Sequence, residues 1–523
     1  MGRLAVSRSL AIPTSPRRKT PKILRARLRF VRDEASFIGV RKPVKLRKYC
    51  WGRALAIAVL FEAAPGSGFR PTARMSRFGW RDTLACMDTW RRADVPELPG
   101  GGQVPRLRDT ATGELTPAAT GPVATIYACG ITPYDATHIG HAATYTAWDL
   151  LIRALLDAGI AVSYVQNVTD VDDPLLERAD RDGEDWRELA LRETDRYRGD
   201  MEALRILPPD HLIGAVEALP IIDRFNARLA ERGALYSVDE DVYFARSTDP
   251  EFGALSGPGT PSGYSLAQMA DLSAERGGDP ARAGKKDPLD CLVWLAERPG
   301  EPAWDSDLGR GRPGWHVECA AIAAEFLGIS FDVQAGGTDL VFPHHEMSAS
   351  HSRVAFALAD AFARVYAHAG LVSYQGEKMS KSLGNLVFVS RLRADGVDPM
   401  AIRLALLAHH YRSVWEWTDD VLAEATARLA RWRNAITRAS NSSGISAPAG
   451  PSASRADAAD LGSSAAESVL ATVRAAMSDV LDAPRALAAI DHWADVVLAE
   501  DPAADRGAVL IRQTADALLG VAL

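Results

Sequence analysis

Apolar residues follow two rhythms along this chain. Short apolar runs, Val123 to Ala128 and Phe331 to Val333, predict buried strands. Stretches with a helical period alternate with them: Ala142 to Asp157, in a segment that stays amphipathic to Ile160, and His345 to Ala361. This alternation predicts an α/β fold, a Rossmann-like parallel sheet flanked by helices, with a nucleotide at the carboxyl ends of the strands. Between the two halves of the sheet, residues from about 205 to 295 hold a helical Ile221 to Arg232, a hairpin-like Leu235 to Ala245 and a Gly/Pro-rich stretch through Gly284. They predict an insertion into a catalytic domain spanning 87–390. After Asn385 the pattern turns helical, with Pro399 to His409 and Asp419 to Thr437, so 391–523 is expected to be a helical domain. Within it, residues 439–464 are rich in Ser, Ala, Gly and Pro and read as a flexible loop. No internal repeat is evident.

Length and charge change this picture at the amino terminus. The chain has 523 residues, too many for one ordinary core, and 47% hydrophobic content with mixed charge reads as globular. Residues 1–86 carry 20 Lys and Arg against 4 Asp and Glu, whereas the whole chain is at −7. Such a basic arm suits nucleic acid or anionic membrane, or is a dispensable or misassigned extension. Its apolar run Ala54 to Phe61 is too short to cross a bilayer and badly placed for a secretory signal, so no membrane partner is expected. Five cysteines without a framework spacing suit a reducing cytoplasm.

Two short motifs carry the chemistry. His138-Ile139-Gly140-His141 lies between a predicted strand and a predicted helix, a geometry that binds phosphate. Lys378-Met379-Ser380-Lys381-Ser382, between Gly376 and Gly384, is a second cationic element. Attack of a carboxylate on the α-phosphate of ATP builds charge on anionic oxygens, which fixed donors and cations must grip. His138 and His141 are candidate donors, Lys378 and Lys381 the candidate cations, and Mg²⁺ is expected on the ATP phosphates. Gly140 lets a flat ring approach the backbone, and the two outer glycines let the lysine segment move.

A third constellation points to a metal. Cys129 ends the first strand, Cys319 lies in Trp315-His316-Val317-Glu318-Cys319, and His344 begins His344-His345-Glu346. Three such donors suit one Zn²⁺ with an open position, and an open thiophilic metal beside an adenylation site selects L-cysteine over serine.

These signatures resemble the class I aminoacyl-tRNA synthetases, and the words around them are similar to cysteinyl-tRNA synthetases over roughly residues 120 to 420. They include Tyr127 to Gly130, Pro299 to Asp305, Gly311 to Cys319, Phe342 to Glu346 and His410 to Ser413. Three departures look like the related ligases that join cysteine to glucosaminyl-inositol in mycothiol biosynthesis. Ser348 stands where the synthetases have a glutamate ligand, Cys129-Gly130-Ile131-Thr132-Pro133-Tyr134-Asp135 replaces their usual wording, and Glu275-Arg276-Gly277-Gly278-Asp279-Pro280 is added. Met87-Asp88-Thr89-Trp90 likewise looks like that family's own amino terminus.

The resemblance implies two steps: cysteinyl-adenylate and pyrophosphate form from ATP and L-cysteine, and then the amine of glucosaminyl-inositol displaces AMP. It also implies an adenylate pocket of Cys129, Gly130, Ile131, Thr132, Thr144, Asn167, Val168, Thr169, Trp315, Gly337, Thr338, Asp339 and Leu371. No motif names a base for the amine; Asp135, His141 and Glu346 are candidates by chemistry. Glu346 is equally a candidate to fix a histidine ring beside the metal.

The tail bears on the acceptor independently of family. Residues 391–523 hold 13 Arg, no Lys and 17 Asp and Glu. An RNA-gripping domain should be basic, so no nucleic-acid partner is expected. The competing readings are a cysteinyl-tRNA synthetase and an idle relative that binds cysteine or zinc to regulate a partner; both signatures being intact speaks against the second.

Overall fold

The computed structural model describes residues 46–51, 54–59, 86–135, 137–379, 384–442, 464–499 and 507–523. Lys381, most of the 439–464 loop and most of the basic extension lie outside them. Within that extension, Leu46–Trp51 pairs antiparallel with Ala54–Val59 as a hairpin. Residues 81–523 form a separate compact unit.

The centre of that unit is a five-stranded sheet ordered Phe362–Ala369, Ser330–Gly337, Val123–Ile131, Ala161–Val168 and His211–Gly214. Every pairing in it is parallel. Chain order therefore runs outward from Val123–Ile131 to one edge, then restarts beside it with Ser330–Gly337. The crevice between these two strands is the switch point at which doubly wound sheets bind ligands. Long apolar runs form the strands because both faces are covered. Trp148 and Leu151, with Trp432 and Trp493 of the carboxyl-terminal helices, cover one face. Phe225, Val317, Ile322 and Met347 cover the other.

The strand His211–Gly214 and the helix Ala215–Glu231 fall inside the expected 205–295 insertion, yet they complete the parallel sheet and its cover. Four residues are too few to show a period, so the strand leaves little trace in the sequence. The inserted part is a four-stranded antiparallel sheet of Leu235–Val238, Asp241–Phe244, Cys291–Ala296 and Gly311–Pro313, which runs past 295. Leu235–Ala245 is the hairpin its pattern predicts.

The carboxyl-terminal helices are fastened to the catalytic layer by buried charge. Asp149, on the helix Ile139–Asp157, accepts from Arg153 at 2.7 Å and from Arg403 on the helix Pro399–Leu407. Arg403 also donates to the carbonyls of Leu519 and Leu204, and Arg153 to those of Asp516 and Arg205. Gly520 has φ +66°, and a Cβ there would fall 2.4 Å from the Arg403 guanidinium. Burial alone would raise the Asp149 carboxyl, but the two arginines hold it below the usual range. No helix among the described residues is long and apolar enough to cross a membrane.

Candidate functional site

The strand Val123–Ile131 does not end cleanly. Its register with Ala161–Val168 shifts between Ala128 and Ile131, a bulge that re-aims Cys129. Gly130 is obligatory there, since a Cβ would lie 1.5 Å from the Asn167 carbonyl oxygen. Its N–H donates to Asn167 Oδ1 at 2.8 Å, and the Asn167 amide reaches Thr169 Oγ1 at 3.1 Å. Thr169 in turn donates to Glu318, a fully buried carboxyl pushed well up by burial and by nearby Asp172.

Cys129, Cys319 and His344 converge in the crevice, with donor atoms all within 4.8 Å of one another and all buried. Cys319 Sγ lies 3.9 Å from Cys129 Sγ and 3.2 Å from His344 Nε2. The helix Trp315–Leu327 carries Cys319, and a 3₁₀ turn, Thr338–Leu340, followed by a π turn, Val341–His345, delivers His344. Trp315 stacks on the His344 ring at 4.1 Å, and His316 Nδ1 sits 3.0 Å from His344 Nδ1. Burial lowers His344 well below its usual pKa, helped by His316, and raises the Cys319 thiol, helped by Cys129. Such a set can hold a metal ion by exchanging thiol protons for the cation.

A buried chain of polar groups backs this cluster, and no motif announced it. Cys129 Sγ lies 3.2 Å from His345 Nε2, His345 Nδ1 lies 2.7 Å from His368 Nε2, and His368 Nδ1 lies 2.7 Å from Thr110 Oγ1. Gln334 Nε2 is 3.0 Å from His345 Nε2 and 3.4 Å from Cys129 Sγ. Gly336 makes room for His345, because a Cβ would meet its ring at 2.8 Å.

In front of the cluster opens a cavity of about 870 Å³. Of the expected residues, Cys129, Gly130, Ile131, Thr132, His141, Thr144, Trp315, Gly337 and Asp339 line it. Asn167 and Thr169 stand behind that wall as its braces, and Val168 is core. Thr338 opens the 3₁₀ turn, while the Leu371 carbonyl accepts from Trp415 N–H at 3.3 Å outside the cavity.

His138, expected as a donor to phosphate, also shapes the turn it sits in. Its Nδ1 accepts the His141 N–H at 3.4 Å, capping the helix Ile139–Asp157, and its ring stacks on His141 at 3.7 Å. Gly140 lacks a Cβ for this reason, since one would sit 2.9 Å from the His138 ring. Burial lowers His141 to about 4, so its ring is neutral at pH 7.

Two candidate bases are committed elsewhere. Glu346 accepts from the amides of Gly253 (3.0 Å), Leu255 (3.1 Å) and Ser256 (2.9 Å) and from Arg353, which corrects both roles considered for it. Asp135 pairs with Arg178 at 2.5 Å. Ser348 donates to the His316 carbonyl at 3.0 Å, so its hydroxyl braces the helix Trp315–Leu327. Lys378 sits on the strand Glu377–Lys378 of a hairpin with Val372–Tyr374, turned at Gln375 and Gly376, both with positive φ.

Comparison with known proteins places these features. Residues 116–427 match the family described as tRNA synthetases class I (C) catalytic domain. The L-cysteine:1D-myo-inositol 2-amino-2-deoxy-alpha-D-glucopyranoside ligase of Thermomonospora curvata is 57% identical over 446 residues, covering 84% of this chain and 100% of that protein. The protein of that name from Streptomyces coelicolor is 56% identical over 441 residues, with the same coverage. Among solved structures, Mycobacterium tuberculosis methionyl-tRNA synthetase in complex with methionyl-adenylate superposes with a TM-score of 0.51 at 17% identity. The match covers 76% of this chain and 89% of that one, and supports the fold alone.

Proposed function

This chain belongs to the L-cysteine:1D-myo-inositol 2-amino-2-deoxy-α-D-glucopyranoside ligases, a branch of the class I tRNA synthetase family, and on that premise we propose how its site works. The protein is an ATP-dependent ligase that activates L-cysteine as cysteinyl-adenylate and transfers it to the amine of glucosaminyl-inositol. Amide, AMP and pyrophosphate are the products. The observation that carries this reading is a Cys-Cys-His cluster opening into a cavity at the switch point of a class I synthetase sheet.

ATP lies across the end of the sheet, its phosphates toward the amino end of the helix Ile139–Asp157. The dipole of that end favours anions. His141, neutral and lining the cavity, donates to a phosphate oxygen without adding a charge. His138 acts by holding that turn. Lys378 and Lys381 meet the departing pyrophosphate, with Mg²⁺ carried on the nucleotide.

Cys129, Cys319 and His344 would hold Zn²⁺, which would supply a thiophilic centre for the thiolate of substrate cysteine and so reject serine. Two thiols and an imidazole, buried and mutually within 4.8 Å, suit that ion. Trp315 walls the cysteine side chain while fixing the His344 ring. Asp339 engages the polar end of the amino acid or the ribose.

The test supplies purified protein with ATP and cysteine, adds either glucosaminyl-inositol or tRNA for cysteine, and follows AMP. AMP release that depends on the aminosugar is the expected result. Release that depends on tRNA and not on the aminosugar overturns the reading.

A further inference from the structure

Once cysteinyl-adenylate is given the strand ends, half of the cavity wall remains. The start of the helix Asp173–Asp182 and the loop Glu275–Asp279 build much of it. Five consecutive residues of the added hexapeptide, 275 to 279, thus face the same space as Cys129 and Trp315.

This wall is built, not incidental. Arg276 donates to the carbonyls of Asp339 and Phe342, tying the loop to the segment that delivers His344. Arg312, nearly buried, donates to Asp173 and, at 3.2 Å, to Glu301, tying the helix start to the inserted sheet. Gly277 has φ +86°, and a Cβ on Gly278 would lie 2.2 Å from Ser273 Oγ, so the loop shows bare backbone to the cavity.

The charges left over decide what it takes. Each arginine on this wall is engaged: Arg276 and Arg312 as above, Arg282 and Arg298 with Asp241 at 2.6 and 3.1 Å. Glu275, by contrast, lines the cavity and makes no hydrogen bond or ion pair among the described residues. Asp172 lines it too, accepting the Asp173 N–H at 2.9 Å. A wall whose arginines are paired, and on which Glu275 and one oxygen of Asp172 stay open beside the engaged Asp173, Asp279 and Asp290, repels phosphate and accepts from hydroxyls and ammonium.

We propose that Glu275 and Asp172 bind the acceptor, an amine-bearing sugar polyol, against the bare backbone of Gly277 and Gly278. The proposal rests on the aminosugar reading above and extends it to residues. Because the acceptor is absent from the first half-reaction, exchange of labelled pyrophosphate into ATP with cysteine alone separates its site from the rest. In Glu275→Gln and in Asp172→Asn, which keeps a helix-capping side chain, KM for glucosaminyl-inositol rises at least tenfold. KM for cysteine in the exchange changes less than twofold. Glu240→Gln, on a hairpin turn outside the cavity, alters neither constant. Acceptor KM within twofold of the parent in both cavity variants overturns the subsite. Parent protein that turns over with tRNA and not with the aminosugar overturns the underlying reading instead.

Discussion

At the scale of single residues, the site is built from buried donors that stand within reach of one another. Cys319 is the sharpest case: fully buried, it stands within reach of both other donors. Cys319→Ala is expected to lower bound metal and cysteine activation together, read by elemental analysis and pyrophosphate exchange; full exchange in metal-free protein would refute the ion's role. Glu346 is a structural counterpart. Its carboxylate receives three backbone N–H groups and the Ser256 hydroxyl. Glu346→Gln would turn an NH₂ against some of these donors, at a cost of about 2 to 3 kcal/mol in urea unfolding. A variant as stable as the parent would show that the loop from Asp249 to Ser256 is held by other means. Cys129, Cys319 and His344 were legible in the sequence because strand ends and helix starts point at the switch crevice. The chain from Cys129 through His345 and His368 to Thr110 was not, because Thr110 and His368 are 258 residues apart and meet only through the fold.

At the scale of elements, alternation of apolar runs and helical periods was enough to read the parallel sheet. What escaped were pieces too short or too unusual in backbone. The edge strand His211–Gly214 is one, and the hairpin turn at Gln375, at φ 57° without being glycine or asparagine, is the other. That hairpin changes how the lysine segment is seen. Lys378 begins the lysine segment on a strand, and Lys381 lies three residues on, outside the described residues. Lys381→Ala should slow adenylate formation at least a hundredfold while KM for cysteine moves little; unchanged exchange would remove it from the mechanism. The carboxyl-terminal helices, legible as helices, gave no sign of how they dock, because Asp149 and Arg403 are 254 residues apart. Asp149→Asn strands two buried guanidinium groups and should cost about 3 to 5 kcal/mol in urea unfolding. A loss under 1 kcal/mol would mean the helices dock by apolar contact alone.

At the scale of the whole molecule, the buried histidines that serve the crevice tie stability to pH. Burial lowers His351 and His368 from 6.5 to about 3, and His141 and His316 to about 4. Between pH 6.5 and 4 the unfolded chain therefore binds protons that the folded protein refuses, and stability falls with pH. Buried carboxyls act in the opposite sense, Glu318 among them. Burial raises Asp170, Asp172 and Asp200 from 3.8 to about 6, so below pH 6 the folded state takes up their protons first and gains stability. The histidines win: these four, with larger displacements and joined by His344 and His345, stand against three carboxyls with smaller ones, joined by Glu318. At roughly 1.4 kcal/mol per unit, the net loss from pH 6.5 to 4 is on the order of 5 kcal/mol. That is comparable to the whole stability of an ordinary domain. Urea midpoints measured on metal-free protein at pH 7, 6, 5 and 4 should fall steeply across the lower two steps, with midpoints that stay level or rise showing that the carboxyls dominate. Refilling the cluster with zinc should move the loss to lower pH, since protons must then compete with the ion for His344 and both thiols.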